Sequence, residues 1–171
     1  MTIGVFAQTL VRQVQERKKE RKKERKKTSI IDPYETDMKE MNQQEYSNFI
    51  QKNLEQIFPE FIDFYRHEDD IYILEYPSGK KELILWVSTQ DDELSIGLDR
   101  NSECIWHTHM SLFGAYEPES ELKEAIEFIN GLFDGRQIIV INEKNEIYVT
   151  DTQEKTNEFG NKVLLKSWND F

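Results

Sequence analysis

The fold is decided by residues 71–109, which read IYILEYPSGKKELILWVSTQDDELSIGLDRNSECIWHTH. Four short runs in this stretch are rich in β-branched and aromatic residues: 71–76, 81–88, 93–98 and 103–109. Clusters of Pro, Gly, Asp, Asn and Ser separate them, as is typical of turns. Short connections join antiparallel neighbours, so the segment predicts a meander of four strands.

Amphipathic helices are expected before and after this meander. Residues 43–58 carry apolar side chains at helical spacing, and Pro59 ends the pattern because it has no N–H to donate. Residues 117–133 repeat the pattern, with Pro118 and several acids in the first turn, where both are favoured. Residues 61–65 are expected to form a further helical turn or an irregular bridge into the sheet, followed by solvated residues.

Shorter segments complete the expected elements: strands at 137–141 and 146–149, a polar loop at 152–160, and a closing strand or short helix at 163–168. The sequence therefore predicts an α+β fold, with an antiparallel sheet of about six strands packed by two or three helices.

Charge divides the chain into two regions of opposite sign. The 171 residues hold 22 Lys and Arg against 33 Asp and Glu, a net charge of −11. Residues 1–29 contain 10 basic and 3 acidic side chains, which leaves 12 basic and 30 acidic for the remainder. We expect a basic, low-complexity helical leader at 1–29, a linker at 30–42 and a single acidic domain at 43–171.

The acidic domain suggests which partners are possible. A domain of this charge repels nucleic-acid phosphates and anionic membranes, and it attracts basic protein surfaces. The expected partner is therefore a protein with a basic surface, not nucleic acid or membrane. There is no apolar run of the roughly 20 residues that a bilayer requires, no signal-peptide pattern and only one cysteine. A cytoplasmic location is expected.

The sequence offers little evidence of catalysis. It contains no GxGxxG, GxxxxGK[ST] or GxSxG motif. Cys104 is expected to be a small buried hydrophobe on the strand face opposite His107, which leaves no nucleophile and base together.

The segment His107-Thr108-His109 raises the question of a metal site. On a strand, residues i and i+2 share a face, so the two imidazoles could meet one metal ion. Catalytic zinc needs a third protein ligand, and Glu103 or Glu117 would have to supply it in a metal-dependent hydrolase. JAMM metalloproteases follow their His-x-His with Ser-x-x-Asp, but here Glu117 and Ser120 occupy those positions. We therefore assign no catalytic residue, cofactor or metal ligand.

Acidic clusters and aromatic residues suggest an interaction surface instead. Solvated turns and a helix N-terminus would explain the acidic clusters at 68–70, 91–93 and 117–124; the functional alternative is that these clusters gather at one end of the sheet and form a partner surface. Aromatic residues often anchor interfaces, so they join the candidates. The partner-binding candidates are Asp91, Asp92, Glu93, Trp106, His107, His109, Tyr116, Glu117, Glu119 and Glu121.

Residues 93–141 resemble the small immunity proteins that bacteria encode beside secreted polymorphic toxins. The resemblance lies in the strand pattern at 94–98, the strand end at 107–109, the acidic loop that follows and the amphipathic helix at 125–133. It implies a non-enzymatic cytosolic protein that neutralises a toxin, often a nuclease, by occupying its cationic cleft. A general interaction module, whose basic leader docks on membrane or nucleic acid, is the other alternative.

Overall fold

The computed structural model describes residues 41–151 and 163–171. The expected leader, residues 30–40 of the linker and the loop at 152–160 lie outside the described residues. Asn42, assigned above to the linker, is the N-cap of the first helix among the described residues. Its side chain accepts a hydrogen bond from the Glu45 N–H at 2.9 Å, and the Glu45 carboxylate accepts one from the Asn42 N–H at 3.1 Å. Two of the N–H groups that a helix start leaves unpaired are thereby satisfied.

The expected meander is confirmed, with one more strand than predicted. The elements in chain order are α1 (Gln43–Ile57), β1 (Tyr65–Glu68), β2 (Ile71–Pro77), β3 (Ile84–Ser88), β4 (Ser95–Arg100) and β5 (Glu103–His109). The strands form one sheet in the order β1-β2-β3-β4-β5, and all neighbours are antiparallel.

Strand β1 corrects the expectation for this region. The residues that precede it, Pro59–Asp63, form a 3-10 turn, as expected, but the chain then pairs with β2. All four β1 residues are exposed, so the sequence carries no alternating apolar signal. Backbone pairing with β2 holds the strand, and exposed ion pairs accompany it: the Arg66 guanidinium is 2.5 Å from the Glu75 carboxylate and 3.0 Å from that of Glu68.

A second, smaller sheet follows the second helix. Helix α2 (Pro118–Phe133) leads into β6 (Ile138–Ile141) and β7 (Ile147–Thr150), and β8 (Leu164–Lys166) pairs on the other side of β6. A 3-10 turn at Trp168–Asp170 ends the chain. The fold is α+β as predicted, but the described residues place eight strands in two sheets where about six in one were expected.

The two helices pack on one face of the five-stranded sheet, here called the helix face. Its core consists of apolar side chains from alternating strand positions: Tyr72, Leu74, Leu85, Val87, Ile96 and Leu98, all fully buried. Helix α1 reaches this face at β1, where the Gln51 side chain lies 2.8 Å from His67 Nε2. Helix α2 reaches it at β5, where Phe128 stacks on Trp106. The opposite, outer face carries Trp86, Gly97 and His107.

Candidate interaction surface

Three acidic connections lie at the same end of the five-stranded sheet. They are the β1–β2 turn with Asp69 and Asp70, the β3–β4 connection with Asp91 and Asp92, and the β5–α2 connection that leads to Glu117. In an antiparallel meander alternate connections share an end. The chain topology thus brings the three acidic connections to one end of the sheet, and we call this region the acidic end.

The β3–β4 connection presents two carboxylates from a well-anchored backbone. Asp91 and Asp92 are exposed and have φ angles of 63° and 55°, in the left-handed region that Asp tolerates better than most residues. Gln43, at the start of α1, accepts a hydrogen bond from the Asp92 N–H at 2.9 Å and donates one to the Thr89 carbonyl at 2.7 Å. Helix α1 therefore fixes the loop that carries these acids.

The β5–α2 connection is tied to the same loop. Ser111 donates a hydrogen bond to the Glu93 carboxylate at 2.6 Å, and His109 Nδ1 lies 3.7 Å from the other carboxylate oxygen. His109 Nδ1 is also 2.7 Å from Ser95 Oγ, and the Met110 N–H donates to the Leu94 carbonyl at 2.9 Å. The two connections therefore form one continuous surface.

A 3-10 turn in this connection, Met110–Phe113, exposes large apolar side chains. Met110 is fully buried, whereas Leu112 is 63% exposed and Phe113 is 54% exposed. We call Leu112 and Phe113 the apolar knob. The sequence did not single them out, since apolar residues between a strand and a helix are usually buried. The signal that could have found them is Gly114, which marks a tight turn and has a φ of 83°.

Seven of the ten predicted residues lie at the acidic end: Asp91, Asp92, Glu93, His109, Tyr116, Glu117 and Glu119. Most are exposed; Glu93 and His109 are half-buried. Ser120 Oγ accepts a hydrogen bond from the Glu117 N–H at 3.1 Å and donates one to the Glu117 carbonyl at 2.8 Å, which fixes the start of α2.

Three predicted residues do not belong to this surface. Glu121 is 2% exposed because it lies on the inward stripe of α2, where its carboxylate accepts hydrogen bonds from the Tyr46 hydroxyl and the Leu94 N–H. Trp106 packs on the helix face against Phe128, with ring centroids 5.5 Å apart and planes 9° apart. His107 lies on the outer face, stacked on Trp86 at 6.3 Å between centroids.

The outer face also corrects the prediction for Cys104. This residue is exposed, and its Sγ is 3.8 Å from His107 Nδ1. The cause is a bulge: Asp99 pairs with Cys104 and Leu98 with Trp106, so Ile105 has no partner on β4 and the alternation of faces shifts. Partial desolvation of the sulfur and the nearby Asp99 carboxylate raise the pKa of the Cys104 thiol, which disfavours the reactive thiolate.

The two histidines of the His-Thr-His segment share the outer face, with ring centroids 5.4 Å apart. The carboxylates considered as further ligands are not brought to both of them. Glu103 begins β5 at the opposite end from His109, and Glu117 caps α2. Among residues 41–151 and 163–171, no three His, Cys, Asp or Glu side chains are grouped so that they could hold a metal ion.

No protein-family model, curated protein or solved structure matches this chain. Within the described part of the chain, neither helix has both the length and the apolar character that crossing a bilayer requires.

Proposed function

We propose that this chain is an immunity protein that binds a cognate toxin and neutralises it by stoichiometric occlusion in the cytoplasm of the producing cell. The observation that supports the proposal most strongly is the convergence of three acidic connections at one end of the sheet. The sequence pattern of residues 93–141, which resembles that of immunity proteins, implies the same class of function.

The charge of the domain is unevenly distributed. The three connections of the acidic end contain no basic residue, whereas the other end of the sheet combines Lys80, Lys81 and Arg100 with the acids Glu60, Asp63, Glu82 and Glu103. At that end the Lys80 Nζ also donates a hydrogen bond to the Asp170 carbonyl at 2.9 Å. Such an arrangement orients the molecule in the field of a cationic partner, and steering of this kind raises association rates from about 10⁵–10⁶ to as much as about 10⁸–10⁹ M⁻¹s⁻¹.

The proposed partner is a toxin with a basic nuclease domain. A nuclease must bind phosphates, so its substrate cleft is cationic. The acidic end would occupy that cleft in place of nucleic acid, which blocks the substrate without any chemical step. Nucleic acid and membrane are therefore not proposed as partners of the acidic domain.

Isosteric charge removal tests the proposal. The first variant carries Asp91→Asn, Asp92→Asn, Glu117→Gln and Glu119→Gln; Asn also tolerates the left-handed backbone at positions 91 and 92. The control variant carries Glu60→Gln, Asp63→Asn, Glu82→Gln and Glu103→Gln, which are four exposed acids at the other end of the sheet. Both variants lose the same amount of charge.

The measurement is the survival of cells that express each variant together with the toxin encoded by the adjacent gene. We expect the first variant to lose protection and the control to keep it, with an association rate about 10- to 100-fold lower for the first variant alone. Full protection by both variants would refute the proposal.

A further inference from the structure

We infer that Leu112 and Phe113 are the apolar anchor by which the acidic end is held in the cleft of its cationic protein partner. This inference rests on the proposed function and names the part of the surface that makes the complex long-lived. It goes beyond the charge argument, because neither residue is acidic and neither was a sequence candidate.

The turn that carries the apolar knob is held on both sides. Before it, Met110 is fully buried, and Ser111 is bound to Glu93 at 2.6 Å. After it, the Gly114 N–H donates to the Ser111 carbonyl at 3.1 Å, and Ala115 is 3% exposed. Because the backbone is already fixed, binding would cost little ordering entropy.

The charged residues around the knob indicate which kind of partner it contacts. The Glu93 carboxylate is next to the turn, because it accepts the hydrogen bond from Ser111. Glu117 and Glu119 follow the turn within a few residues of sequence. An apolar centre with a charged rim is the usual anatomy of a protein interface. The charge of the rim selects a cationic protein surface: a second copy would bring two acidic ends together, and an anionic bilayer would be repelled.

The knob and the carboxylates would act on different rate constants. Charges at the rim act at a distance and mainly set the association rate. Apolar side chains act only in contact, so their removal mainly raises the dissociation rate. Because the carboxylates mainly affect kon and the knob mainly affects koff, the two contributions can be measured separately.

The test compares two double variants of the full chain. The first is Leu112→Ser with Phe113→Ser. The control is Ile57→Ser with Ile62→Ser, two apolar residues that are 46% and 58% exposed at the other end of the sheet. The purified product of the adjacent gene is the probe, and surface plasmon resonance gives kon and koff. Leu112→Ala with Phe113→Ala serves as a milder pair if the serine variant does not fold.

We expect koff to rise about 100-fold in the knob variant, with kon changed by less than about threefold, and no change in the control. If the wild-type chain binds and the knob variants dissociate no faster, the knob is not the anchor, although the proposed function stands. If the wild-type chain does not bind the probe, both proposals fail. A wild-type dimer in sedimentation that the knob variant abolishes would identify a self-interface and overturn the inference.

Discussion

Gly97 shows how a single residue shapes the outer face. A Cβ atom at this position would lie 2.3 Å from the Trp86 ring, which covers the glycine and stacks on His107. The alternation of residues 93–98 predicts that Gly97 points away from the helix face. It cannot predict that a tryptophan of the preceding strand fills the space, because that depends on the register of β3 and β4.

We expect Gly97→Ala to destabilise the protein by about 1–3 kcal/mol, since the Trp86 ring must move out of its place. Urea unfolding measures the free energy, and the tryptophan emission spectrum reports the displaced ring. Gly79→Ala is the control, because the nearest atom to its Cβ is the Phe171 carbonyl oxygen at 3.8 Å. Equal stability of the two variants would contradict the placement of Trp86.

Two other residues, Glu121 and Cys104, lie elsewhere in the structure than their sequence pattern predicted. Glu121 follows the acidic pattern of a helix start, yet its position on the inward stripe of α2 buries it against Tyr46. Charge alone suggested that Glu121 lies on the surface, but in the structure it is buried on α2 together with Leu122 and Ala125. The prediction that Cys104 is buried on the face opposite His107 was wrong for a different reason: the bulge at Ile105 interrupts the alternation of side chains between the two faces of the sheet.

At the scale of elements, helix α1 and the β3–β4 connection depend on one buried hydroxyl. Thr89 is 0% exposed; its Oγ1 accepts a hydrogen bond from the Tyr72 N–H at 3.0 Å and lies 2.7 Å from Ser47 Oγ on α1. This contact joins the helix, strand β2 and the loop that bears Asp91. A sequence cannot show it, since the three segments are far apart along the chain.

We expect Thr89→Val to cost about 1–3 kcal/mol of unfolding free energy, because it leaves the buried Tyr72 N–H and Ser47 hydroxyl without this partner. Thermal or urea unfolding measures the loss. Thr108→Val is the control, because it makes the same substitution at another buried threonine, which is 7% exposed in β5. A loss no larger than that of the control would contradict the role given to Thr89.

Most elements were predictable because their signals are local. Turn residues and apolar runs gave β2 to β7, and helical periodicity gave α1 and α2. Strand β1 was not predictable, since all four of its residues are exposed and backbone pairing with β2, not an apolar alternation, holds it. The division into two sheets was also missed, because strand length and spacing do not reveal which strands pair.

At the scale of the whole molecule, the chain topology creates the acidic end. Carboxylates that lie 20 or more residues apart meet there because alternate connections of a meander share an end. Both helices also begin at this end, and their N-termini offset part of the repulsion among the acids. The sequence offered this gathering of charge as one of two interpretations of the acidic clusters, whereas the exposure of the apolar knob depends on the orientation of one turn.

The most direct test of the central claim, that the acidic end meets a cationic protein surface, is the salt dependence of association with the adjacent gene's product. Stopped-flow mixing of the full chain would give kon between about 50 and 500 mM NaCl, a range over which screening of exposed charges increases strongly. We expect kon to fall at least about tenfold over this range. The variant with neutral residues at 91, 92, 117 and 119 should lose most of this dependence on salt, whereas the control variant with neutral residues at 60, 63, 82 and 103 should keep it. A rate that does not change with salt, or equal slopes for the two variants, would contradict the account.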